Sequence, residues 1–166
     1  MRALFPLVKD FITRLKGDEY LESVLGSPVQ VYTERAPETQ AFPYFIIDVI
    51  QALPWADQTQ RGTTYTIQVS YFMQRGEAGT VQGIADVAKV GEVVRDLFDD
   101  RHGFDLDDSP VQDASVKLDF EPENYETNSG GARLVRRQYA SGTPAIVDPE
   151  NLYIQGVARF NCVICG

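Results

Sequence analysis

From Thr64 to Tyr71 polar and apolar side chains alternate without a break: Tyr65, Ile67, Val69 and Tyr71 point one way, Thr64, Thr66, Gln68 and Ser70 the other. Period two over that length, within a strand from Thr63 to Phe72, marks a strand buried on one face only. Such a strand needs neighbours to pair with and a layer to cover its apolar side. It therefore constrains the whole chain to a layered fold.

Two helical stripes supply the cover. Leu4, Val8, Phe11, Ile12 and Leu15 recur at i, i+4, i+7, i+8 and i+11, and Gly17 closes that pattern. Ile84, Val87, Ala88, Gly91, Val94 and Phe98 make a second long helix, entered through a turn bracketed by Gly76 and Gly79 with Thr80 as a cap. Gly91 inside it predicts a close backbone approach.

Between the first helix and the central strand, Gly17-Asp18 starts a short helix (Leu21, Val24, Leu25) and Ser27-Pro28 ends it. Val29, Val31 and Thr33 then read as the inner face of a short strand. After the loop Glu34 to Ala41, Tyr44 to Ile50 reads as a longer strand, with Trp55 on the following loop. In the C-terminal half, Val116, Leu118 and Phe120 make a short strand and Glu121 to Gly131 a loop expected to be mobile. Ala132 to Tyr139 is a strand extension. Asp148-Pro149-Glu150-Asn151 turns into a final strand, Leu152 to Ile164, with Ile154, Ala158, Phe160, Cys162 and Ile164 on one face. The expected architecture is α+β, a single largely antiparallel, mixed sheet with the two main helices on one face. No linker or repeat divides residues 1–166.

A chain of 166 residues buries about 68–70% of its unfolded surface and needs no disulfide or metal staple. Lys9, Asp10 and Arg14 interrupt the apolar N-terminus, which argues against a signal peptide or a membrane span. The formal net charge of -9 opposes a nonspecific grip on nucleic acid. Charge is uneven: seven aspartates lie between Arg95 and Asp113, and the 99–113 segment reads as acidic and mobile, whereas Arg133, Arg136 and Arg137 form a basic stretch.

Catalytic signals are weak. Cys162 and Cys165 form a CxxC at the end of a strand, not at a helix start, and a reducing compartment suits them. His102 near Asp100, Asp105 and Asp107 invites a small metal-dependent hydrolase, but a solvated acidic loop is the plainer reading. Asn128-Ser129-Gly130-Gly131 lacks the lysine and following helix of a phosphate cradle. No catalytic residue, cofactor or metal ligand is assigned.

The order of elements, with Gly17-Asp18, Val31-Tyr32, Ala36-Pro37, Phe42-Pro43-Tyr44, the Thr64 to Phe72 strand, the Ile84 to Phe98 helix and Asp148-Pro149 before Tyr153, resembles the tail-completion or tail-terminator proteins of long-tailed bacteriophages and related gene-transfer particles. The resemblance covers nearly the whole chain. It implies a non-enzymatic subunit of the virion, present in the host cytoplasm during assembly, that forms a ring, commonly a hexamer. The ring caps the tail tube and joins it to the head connector, adaptor or stopper, with DNA passing through unbound and no membrane involved. Another neck or tail-tube component is the alternative. Candidate interface residues are Arg133, Arg136, Arg137 and Tyr125 by the basic stretch, and Trp55 and Asp57, Trp55 being either a core lid or an interface anchor.

Overall fold

The computed structural model describes residues 4–74, 83–99, 133–148 and 153–165. Its elements are α1 (Leu4–Gly17), α2 (Glu19–Leu25), β1 (Val31–Thr33), β2 (Tyr44–Ala56), β3 (Arg61–Gln74), α3 (Gly83–Phe98), β4 (Arg133–Asp148) and β5 (Tyr153–Cys165). The strands form one sheet in the order β1-β2-β3-β5-β4. Among the described strands only β1 and β2 run parallel; the other neighbours are antiparallel. This is the mixed α+β sheet expected.

The helices begin and end where their capping chemistry dictates. Asp18 Oδ1 accepts the Leu21 amide at 2.6 Å, which fixes the start of α2, and Gly26 closes it in the left-handed region at φ 69° while donating to the Glu22 carbonyl. Arg14 and Lys16 occupy the last turn of α1, where cations offset the helix dipole.

Both long helices cover the same face. Leu7, Phe11 and Leu15 of α1 and Val87, Val90, Val94 and Phe98 of α3 share one core with Tyr65, Ile67, Val69 and Tyr71 of β3 and Phe160 and Cys162 of β5. At its centre Phe11 stacks on Phe98 with centroids 4.3 Å apart, and Phe160 lies 5.9 and 5.5 Å from the two. Each fully buried ring of this kind stabilises by roughly 1.5–3 kcal/mol through lost hydration alone. The close approach expected at Gly91 is present: a Cβ there would collide with the Tyr71 hydroxyl, and one at Gly156 of β5 with the Tyr71 ring. Two glycines thus frame one tyrosine between α3 and the sheet.

Several sequence expectations change. Val29 and Val31 are buried but Thr33 is exposed, because β1 ends there and Glu34 turns the chain away at φ 65°. In α3 Ala88 is exposed and Val90 takes its place in the core. β2 runs six residues past Ile50, through Pro54 and Trp55, so Trp55 is on a strand and not a loop. Pro54 is tolerated because β2 beyond its β1 pairing has only β3 beside it among the described residues, and prolines are found on edge strands. β4 continues to Asp148 through three register shifts, one of which spans Pro144 and Ala145. The strands expected at Val116 to Phe120, the Gly76 and Gly79 turn and the Glu121 to Gly131 loop lie outside the described residues.

Candidate assembly surface

The basic stretch divides. A bulge between Leu134 and Arg136 shifts the β4 register, so that Arg133 pairs with Cys165 and Arg137 with Cys162. Arg137 is 1% exposed. Its Nε donates to the Phe98 carbonyl at 3.1 Å, its Nη1 to Asp10 at 2.6 Å, and its guanidinium carbon sits 5.1 Å from the centroids of both Phe11 and Phe98. A planar, weakly hydrated cation suits that place between two rings. Arg137 therefore belongs to the core and leaves the candidate interface. Arg136, paired with Val163, is exposed on the opposite face.

Asp10 also receives Arg14 Nε at 3.0 Å, so one carboxylate ties α1 to itself and to β4. Asp99, expected in a solvated segment, is buried at the end of α3, where its amide donates to the Arg95 carbonyl at 2.8 Å. His102, Asp100, Asp105, Asp107, the rest of the acidic segment and Tyr125 lie outside the described residues.

Asp57 organises the β2–β3 turn. Its Oδ1 accepts the Thr59 amide at 2.7 Å and the Gln60 amide at 2.6 Å, and these backbone donors hold its carboxyl below the ordinary aspartate range. Next to it, Trp55 pairs with Gly62, where any Cβ would strike the indole ring or the Ile164 carbonyl. That row continues to Cys165, opposite in parity to the buried Cys162 and Ile164, so Trp55 lies on the helix-free face and is no lid on the helical core. Its Nε1 is buried without a hydrogen-bond partner among the described residues.

The middle of the helix-free face is polar: Thr66 Oγ1 donates to Asn161 Oδ1 at 3.0 Å and Arg159 Nε to Gln68 Oε1 at 2.9 Å. One end is aromatic. Tyr44 stacks on Phe72 at 4.9 Å and on Phe42 at 5.4 Å, while Tyr153 lies 5.9 Å from Phe42 and 5.8 Å from Phe72. Burial, then the neighbouring Tyr153, raises the Tyr44 phenol above its usual value. Sequence reasoning missed this cluster, although its signal was present: Tyr44 and Phe72 occupy outward positions where the alternation otherwise places Thr, Gln and Ser.

A second apolar feature lies at the other edge. A groove of about 820 Å³ opens between α1 and β2, walled by Leu4, Val8, Ile12 and Val49, with Lys9, Glu34 and Asp48 among its charged lining. Partial burial and the Glu34 charge raise the Asp48 carboxyl.

Among the described residues no nucleophile is assembled with a base, and their distinctive parts are surfaces. The family model for tail completion protein gp17 matches residues 9–126, and the chain belongs to that family. It is a structural protein of the virion. Among solved structures it is similar to a chain of the virion of a native gene transfer agent particle, at 16% identity and a TM-score of 0.62, covering 94% of this chain and 92% of that one. A search of curated proteins gave no match.

Proposed function

We propose that copies of this chain close into a ring that caps the finished tail tube and joins it to the head connector. The observation that carries this reading is membership of the tail-completion family over residues 9–126. The charge supports it: every copy adds -9, so a ring presents an acidic annulus that repels DNA in transit and does not arrest it. The partners are then the chain itself, the tail tube protein and a connector, adaptor or stopper on the head side, without catalysis.

The test pairs light scattering and electron microscopy of the purified protein with particles made in the gene's absence. Closed rings, together with overlong tails or unjoined heads and tails, are the expected result. Tails of normal length attached to heads in the absence of the protein would overturn the capping role.

A further inference from the structure

Beyond its pairing with β1 at Phe45 to Ile47, β2 has only β3 beside it among the described residues, which leaves its other edge open from Val49 to Ala56. That run carries no charged side chain, and every residue in it except Trp55 is exposed. From Gln51 to Ala56 it pairs with β3 without a further register shift. An uncharged, regular and exposed edge strand is a template on which another chain can add a strand. The opposite edge is protected differently, because three register shifts interrupt β4.

The hydrogen-bond phase of the hairpin fixes where Pro54 stands on the open edge. The Asp57 amide donates to the Gln60 carbonyl at 2.9 Å, so these two residues form a hydrogen-bonded pair across the turn. Bonded and non-bonded pairs alternate along an antiparallel ladder. Trp55 with Gly62 and Leu53 with Thr64 therefore bond across to β3, whereas the backbone groups of Ala52, Pro54 and Ala56 face outward. Pro54 is the middle one of these and has no N–H to offer. Its missing donor costs the sheet nothing and is lost only to an incoming strand.

We propose that Pro54 guards the β2 edge, withholding the central donor from an open, uncharged strand and so keeping strands of other chains from pairing there. A proline at an outward, non-bonding position is the substitution that blocks strand addition without weakening the strand that carries it. The guard is independent of the ring reading, because it concerns what this edge excludes.

Restoring the donor tests it. Pro54→Val in the full chain keeps the circular dichroism and urea midpoint of the wild type. In light scattering, species larger than the wild-type assembly appear at about a tenfold lower concentration, the effect of one regained backbone hydrogen bond per added strand. Adding Ala52→Pro to that variant removes a different outward donor and returns it to wild-type behaviour. Leu53→Pro, which removes a donor facing β3, lowers the urea midpoint instead. A Pro54→Val chain as monodisperse as the wild type overturns the guard, and so does association that Ala52→Pro fails to reverse, since side-chain character and not a backbone donor would then be its cause. Loss of fold on changing Pro54 or Ala52, or an unchanged midpoint in Leu53→Pro, reverses the hydrogen-bond phase and overturns the proposal as well.

Discussion

The two faces of the sheet are held together by different means. Under the helices, Phe11, Phe98 and Phe160 enclose one another and the Arg137 guanidinium, with water excluded. On the other face Tyr44 stacks on Phe72 and Tyr153 meets Phe72 edge-on at similar distances, but these rings stay half-exposed, and the space between them and Trp55 is filled by threonine, glutamine, asparagine and arginine. Similar ring geometry thus carries unequal stability, because hydration lost on folding differs more than the contacts do.

The largest way to break that contrast is Phe160→Ala, which should destabilise by about 3–5 kcal/mol in urea titration through the cavity it leaves. A loss under about 1 kcal/mol would mean the three-ring core is not packed as described. Next comes Arg137→Ala. It strips a partner from Asp10 and from the Phe98 carbonyl, and because Asp10 keeps Arg14 and some solvent the expected loss is about 3 kcal/mol, the low end for a broken buried pair. Arg136→Ala in the same strand should stay within about 0.5 kcal/mol, so the ratio of the two sharpens the assignment of opposite faces.

Alkaline pH probes the inner face without a cavity. Burial raises the Tyr71 phenol from its ordinary 10.0 to about 12, so the folded chain keeps a proton that the unfolded chain releases. Stability should therefore fall as pH rises from 10.0 toward about 12, and Tyr71→Phe should flatten that slope in pH-dependent thermal melts. An equal slope in both proteins would place the loss elsewhere. On the outer face, Phe72→Ala is expected to cost only about 1 kcal/mol, the value of an aromatic pair beyond its buried area. A loss matching Phe160→Ala would show that the outer rings are as dry as the inner ones.

Legibility in the sequence followed regularity. β3 was readable because its alternation is unbroken from Thr64 to Tyr71, and α1 because its stripe faces a single layer. β4 was readable only as far as Tyr139: its register shifts at Leu134, Tyr139 and Thr143 scramble the period-two signal, and the first of these bulges precedes Arg137, which lies in the core. Nothing local distinguishes Arg137 from Arg136. Their difference is set by Asp10, 127 residues away, which no short pattern reports. β2 was read only to Ile50, although it continues through Pro54, a residue an edge strand accepts.

The central position of β3 has a consequence for how the chain is made. Its neighbour on one side, β2, leaves the ribosome first, but its other neighbour, β5, is the last strand of the sheet to emerge. While residues up to 148 are being synthesised, the central strand has one unsatisfied edge, and α1 lacks the arginine that locks its Asp10 until β4 arrives. Open edges of that kind recruit other chains. Until β5 arrives, β3 keeps one edge open to wrong partners, and pairing with β5 closes it.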